Sequence, residues 1–186
     1  MLQEFVDQIE NTCRDVMNEI HTALPGEIDS VDLSTGRASV KPAGSYRKPD
    51  GSTMDYPQIT GVPIMIPQCV QCGIEFAFPV KKGESCLIII SEQELDAWLY
   101  GEESESELRF DLTSAVCIPG LSAVAGSSFV EACKTDSAII ANGDVKVVVS
   151  TSGIKLCGDV EIEGEIKATG DLKVKGNITA TGTITP

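Results

Sequence analysis

The chain is 186 residues long and strongly acidic, with 28 Asp and Glu residues against 14 Lys and Arg and a formal net charge of −14. This length allows one ordinary domain with an appendage, and it excludes two full-sized domains with large cores of their own. Neutralising nucleic-acid phosphates requires clustered cations, so no nucleic-acid partner is expected. A low aromatic content of 5% and 17 glycines favour a turn-rich, mainly β chain over a helical bundle.

Seven cysteines are scattered along the chain, which is typical of reduced thiols in a protein that folds in the cytoplasm. Cys69 and Cys72 have the spacing of half a zinc site, but no second Cys/His pair follows at zinc-ribbon spacing. We therefore expect two loop thiols, no metal and no cofactor. No basic-then-apolar leader and no membrane-spanning run are recognised, so a protein without signal peptide or membrane anchor is expected.

Residues 2–24 predict an amphipathic helix that ends before Pro25, because apolar residues recur there at spacings of three and four. The N-terminal helix is assigned to residues 1–25. Its apolar stripe must dock either on its own domain or on a neighbouring subunit. His21 is the only histidine, and an exposed or subunit-facing position in this helix is expected for it.

Residues 26–121 predict a small antiparallel barrel of the oligonucleotide/oligosaccharide-binding (OB) type, because short β-type segments alternate with turn residues. Trp98 falls in a short predicted helix at 92–100 and is expected to pack in the barrel core. A small-residue connector is assigned to 122–136, and a spike domain to 137–186. The predicted β segments are 28–33, 37–41, 58–66, 74–79, 85–91, 112–118, 138–141, 145–149 and 153–156.

A regular repeat occupies the last thirty residues. Every even position from 158 to 184 is apolar or Gly, and every odd position from 159 to 185 is Asp, Glu, Lys, Asn or Thr. Side chains alternate between the two faces of a strand, so the pattern predicts one continuous apolar face and one polar face. Glycine, which lacks Cβ and permits a bend, recurs every six residues at Gly158, Gly164, Gly170, Gly176 and Gly182.

A single chain of this length cannot wrap around itself often enough to bury such a face. Burial requires further copies of the same segment, and three chains wound about a common axis satisfy all three faces by symmetry. The sequence therefore predicts an obligate homotrimer with a C-terminal triple-stranded β-helix. Its core is expected to contain Val160, Ile162, Ile166, Leu172, Val174, Ile178 and Ile184.

A single-chain solenoid of the hexapeptide acyltransferase kind is the closest competitor. That family expects an aliphatic residue before each repeat glycine, whereas this chain has Cys157, Glu163, Thr169, Lys175 and Thr181. It also requires a catalytic histidine in the solenoid. A Ser or Cys nucleophile would likewise lack its base, so no catalytic residue and no enzyme activity are expected.

Several motifs in the barrel segment resemble the baseplate central-spike proteins of contractile-tailed phages and related injection systems. The segment from Phe76 to Glu84 looks like that family's Leu-x-Phe-Pro-Leu-Lys-x-Gly-Asp motif. The other matching segments are Val62-Pro63-Ile64, Ser91-Glu92, Leu95-Asp96-Ala97-Trp98, Phe110-Asp111-Leu112-Thr113-Ser114-Ala115 and Ile118-Pro119-Gly120-Leu121. The resemblance covers about residues 26–186.

This resemblance implies a homotrimer whose barrel joins a tail-tube or baseplate hub and whose β-helix pierces the cell envelope when the sheath contracts. The expected location is the baseplate tip of a virion or tail-like particle assembled in the host cytoplasm. Many members gather iron through a His-x-His motif at the apex; this chain lacks one, so a blunt tip or a separate capping protein is expected. A glycan-binding OB module on an oligomeric β stalk is the alternative.

Overall fold

The structure is a computed structural model that describes residues 2–48, 51–103 and 109–182. The mainly β class expected from the sequence is confirmed, and the chain divides into two units, Met1–Ala123 and Val124–Pro186. Among the described residues, no helix combines the length and apolar character needed to cross a membrane. The first unit contains helices α1 (Leu2–Glu19) and α2 (Leu95–Tyr100) and strands β1 (Ala23–Asp32), β2 (Arg37–Pro42), β3 (Ser45–Arg47), β4 (Thr53–Asp55), β5 (Ile59–Pro63), β6 (Gln68–Cys69), β7 (Ile74–Glu75), β8 (Ser85–Ile90) and β9 (Ala115–Pro119).

A five-stranded antiparallel sheet with the order β5-β2-β1-β8-β9 forms the body of the first unit. It curls until its two edges meet, where Met65 N–H donates to Cys117 O over 2.8 Å beside the Ile64–Cys117 bridge. Alternate side chains of its strands point into the curl and form the core. The buried members of this core are Ile28, Ala38, Val40, Ile59, Val62, Cys86, Ile88, Ile90, Ala115 and Cys117.

Gly26 marks a close approach between β1 and its two neighbours in the sheet. A Cβ atom at this position would lie 2.6 Å from Ile88 Cδ1 and 2.8 Å from Lys41 O. Both separations are shorter than ordinary van der Waals contact, so any larger residue would push the strands apart. The absence of a side chain at Gly26 thus lets β1 lie between β2 and β8.

Helix α1 is shorter than predicted, because it ends at Glu19 and not at residue 24. Pro25 does not terminate a helix: it lies inside β1, opposite Leu87 of β8, and its carbonyl accepts from Ala43 N–H over 2.7 Å. Pairing with β8 therefore governs the backbone here. His21 consequently follows the helix, and its ring lies edge-on to Tyr56 with centroids 5.1 Å apart.

The prediction that Trp98 packs in the core is wrong, since its side chain is 77% exposed. Ala97 is the residue of α2 that is buried. Arg37 fastens the helix to the sheet through Nη2, which donates to Asp96 Oδ1 over 2.9 Å and to the Tyr100 hydroxyl over 3.1 Å. A charge-assisted contact, rather than an indole ring, thus holds this helix.

The second unit begins with a helix in the region predicted to be a connector. It contains α3 (Ser127–Thr135) and then an antiparallel meander of β10 (Ala138–Asn142), β11 (Val145–Ser150) and β12 (Gly153–Cys157). The three predicted strands in this region are therefore present. Residues 158–182, all of which are described, contain no helix and no strand.

Candidate oligomerisation surface

One face of the β10–β12 sheet is apolar and open. Ile140 lies opposite Val147, which in turn lies opposite Leu156, so three apolar side chains form a row across the strands. A second row joins Ala138, Val149 and Ile154. Ile140 is 67% exposed and Ile154 is 72% exposed. An apolar sheet face of this kind is normally covered by another layer.

The opposite face of this sheet carries the contact with α3. Lys146 Nζ contacts both carboxylate oxygens of Glu131 at 2.6 and 2.7 Å, and this carboxylate raises the pKa of Lys146. Ile139 and Val148 on the same face are half-buried. The unit therefore partly covers one face of its sheet and leaves the apolar face to solvent.

The predicted trimer-core residues are all exposed where the structure describes them. Ile184 lies outside the described residues. The other six remain about half exposed or more, along a segment with no regular secondary structure: Val160 54%, Ile162 57%, Ile166 68%, Leu172 77%, Val174 48% and Ile178 63%. The single chain thus leaves its apolar stripe without cover.

The backbone of the repeat bends at several of its glycines. Gly158, Gly164 and Gly176 have φ values of 112°, 138° and 151°, a region that side chains with a Cβ rarely adopt. At Gly158 an added Cβ would also lie 3.1 Å from Val145 Cγ2. Gly170 and Gly182, the other two predicted repeat glycines, do not have a positive φ.

The apolar surface extends further toward the N-terminus than the predicted trimer core. Ile154 and Leu156 in β12 share the even-numbered alternation of the repeat, so the apolar pattern begins before Val160, where the predicted core started. The sequence signal for this was the alternation itself. Among the odd-numbered residues, Glu165 Oε2 and Lys167 Nζ lie 3.5 Å apart and are both exposed.

A separate polar cluster lies on the first unit, around a bulge in β1. The register of β1 against β2 shifts between Ile28 and Ser30, so Asp29 is the extra residue. Asp29 Oδ1 lies 2.7 Å from Lys41 Nζ and 3.0 Å from Lys82 Nζ. These two ammonium groups hold the pKa of Asp29 down at about 2. The cluster ties β1, β2 and the turn before β8 together.

Replacing Asp29 with Asn should reduce the acid sensitivity of the fold. Because the folded-state pKa is lowered to about 2 from 3.8, the carboxylate stabilises the protein fully above about pH 4 and loses this effect as the pH falls toward 2. Thermal unfolding measured between these pH values should show a shallower slope for Asp29→Asn than for the wild type. Lys82→Gln, which removes one of the two cations, should give an intermediate slope, and identical slopes would contradict the assignment.

Comparison with known families identifies the curled sheet. Residues 24–120, just over half of the chain, match the family model described as phage protein Gp138 N-terminal domain. The match begins at the second residue of β1 and ends directly after β9, so it covers the five-stranded sheet except for Ala23 and leaves out α1 and the second unit. No curated protein shows a significant match to the chain.

Proposed function

The chain belongs to the phage protein family of the Gp138 N-terminal domain, and we propose that it is the central spike of a contractile tail or related injection particle. In this proposal the protein is a homotrimer at the baseplate tip. Its curled sheet is an OB-type barrel that joins the tail-tube or baseplate hub. Its repeat forms a triple-stranded β-helix that pierces the cell envelope when the sheath contracts, so its role is mechanical rather than catalytic.

The observation that carries this proposal is the uncovered apolar stripe of the second unit. An apolar side chain that leaves water gains about 1.5–3 kcal/mol, yet the six described core candidates stay about half exposed or more in the single chain. A monomer would forgo about half of that gain or more at each position. Three copies of the segment can recover it, because each stripe then faces the common axis.

The N-terminal helix supports assembly into three copies rather than two. Val6, Ile9, Cys13 and Val16 follow one another at spacings of three, four and three, the seam of a coiled coil, and all four are exposed. All of these residues except Cys13 are β-branched, and β-branched residues at both kinds of seam position favour three or four strands over two. The seam is short, so it becomes stable only when another contact already holds the copies together.

The tip of the proposed rod offers a place for a further partner. The strand ends of an intertwined rod expose unpaired backbone groups that another protein can cover. We therefore include a separate tip-capping protein among the proposed partners, beside the hub and, transiently, the cell envelope.

Light scattering on the purified protein tests the proposal directly. The full chain should have three times the mass of one chain, and a chain truncated after Gly126 should associate weakly or not at all. The truncated chain retains the whole first unit, Met1–Ala123, so circular dichroism should still report a folded sheet. A full chain that stays monomeric at high concentration would overturn the proposed trimer.

A further inference from the structure

A short exposed hairpin in the first unit brings two thiols to the ends of one turn. Strand β6 ends at Cys69, a 3₁₀ turn spans Val70–Cys72, and Gly73 leads into β7 with a φ of 64°. Cys69 and Cys72 are both exposed, and so is Val70 between them, at 80%. The turn therefore presents both sulfur atoms to solvent, with each within reach of the other.

The turn gives the two thiols different pKa values. The thiol and the backbone N–H of Cys72 stabilise a negative charge on Cys69 and lower its pKa. The Cys69 side chain in turn raises the pKa of Cys72. Because the thiolate is the reactive form of cysteine, Cys69 is the nucleophile of the pair.

We propose that Cys69 and Cys72 form a thiol–disulfide exchange site that closes reversibly into a disulfide across this turn. The proposal does not depend on the spike function or on the oligomeric state. A metal site is a poorer fit: no group of three or more potential ligand side chains occurs among the described residues, and a structural zinc ion takes four ligands.

The exchange needs a small-molecule disulfide as the oxidant, for which glutathione disulfide serves. The Cys69 thiolate attacks one sulfur of glutathione disulfide, the S–S bond breaks, and one glutathione leaves as its thiolate. Cys72 then loses its proton to solvent and attacks Cys69 Sγ, which expels the second glutathione. The two protein thiols are oxidised by two electrons, and glutathione disulfide is reduced to two glutathione molecules.

A second thiol pair in the same unit provides an internal contrast. Cys86 and Cys117 lie on the paired strands β8 and β9, and both are fully buried in the core. Burial and the nearby Cys86 raise the pKa of Cys117 to about 12, and burial raises that of Cys86 as well. These thiols lack both the access and the thiolate that exchange requires, so they should remain unreactive in the folded protein.

The test treats the full-length protein with glutathione disulfide near neutral pH, blocks remaining thiols with iodoacetamide, and analyses the peptides by mass spectrometry. The peptide that contains both Cys69 and Cys72 should lose two hydrogen atoms and gain neither glutathione nor the alkyl group. Cys133, an exposed thiol that is not part of a Cys-x-x-Cys turn, should instead retain glutathione. Cys86 and Cys117 should react only after denaturation.

Two matched variants test the assigned roles. In Cys72→Ser, glutathione should remain attached to Cys69, because no second thiol expels it. In Cys69→Ser, Cys72 should react more slowly than Cys69 does in Cys72→Ser, because the backbone N–H of residue 72 still lowers the pKa of Cys69 in the latter variant and the thiolate is the reactive form. Equal rates in the two variants, or wild-type protein that keeps glutathione on this peptide, would overturn the proposal.

Discussion

Replacing Ile166 with Asp should prevent trimer assembly while leaving the first unit folded. Ile166 is 68% exposed in the single chain, so the change would cost a monomer almost nothing. In the proposed β-helix it would place three carboxylates near one axis, where burial of each ionised group costs several kcal/mol. Light scattering should therefore report monomers, and circular dichroism should retain the signal of the curled sheet.

The matched control for Ile166→Asp is Thr169→Asp, which introduces the same side chain at an odd position of the same repeat. Odd positions belong to the predicted polar face, where Glu165 and Lys167 are already exposed, so this variant should remain trimeric. If the Ile166→Asp protein stays trimeric with unchanged thermal stability, the even-numbered face is not the trimer core. Loss of assembly in both variants would indicate charge repulsion in a chain that already carries −14.

The parts of this protein that could be predicted from sequence are those determined by local sequence pattern. A run of β-type residues after the turn at 81–84 predicts β8 at 85–91, close to its observed bounds, Ser85–Ile90, and strict alternation predicts the apolar stripe from Val160 onward. A similar run after the turn at 142–144 predicts β11 within a residue of its observed bounds, Val145–Ser150. The number of copies that cover the stripe is a property of the assembly, and the predicted trimer still awaits the mass measurement.

The wrong predictions for the end of α1 and for Trp98 concern features decided by distant contacts. The end of α1 was assigned to Pro25, but that residue pairs with Leu87, which is distant in sequence. Helix α3 (Ser127–Thr135) was missed because its run of small and polar residues carries a weak periodic signal. Trp98 was assigned to the core because it is an aromatic residue at helical spacing with Leu95 and Leu99, whereas Arg37 supplies the contact that orients α2.

The Asp29 cluster and the Cys69–Cys72 turn also depend on three-dimensional contacts that the sequence does not reveal. The bulge that isolates Asp29 between two lysines exists only in the register of β1 against β2, and Lys82 reaches it from 53 residues along the chain. The spacing of Cys69 and Cys72 is visible in the sequence, which predicts two loop thiols without a metal. The difference between their pKa values depends on how the two residues face each other within one turn, which spacing does not encode.

Replacing Ile88 with Ala should destabilise the first unit more than any other single truncation discussed for this protein. Ile88 is fully buried, lies opposite Leu24 and Cys117 in the sheet, and packs against the backbone of Gly26. The strands around it are held by pairing on both sides, so they cannot collapse into the space that the side chain leaves. Removing a buried isoleucine under these conditions costs about 2–5 kcal/mol of unfolding free energy.

Ile89→Ala is the matched control for Ile88→Ala, because the next residue of the same strand points the other way and is 37% exposed. Its loss of stability should be less than half as large in urea unfolding followed by circular dichroism. The second unit lacks these residues, so the trimer mass measured in the absence of urea should be the same for both variants. Equal destabilisation by the two substitutions would mean that the curled sheet buries its strands on both faces, and the inward-facing core of the first unit would then be wrong.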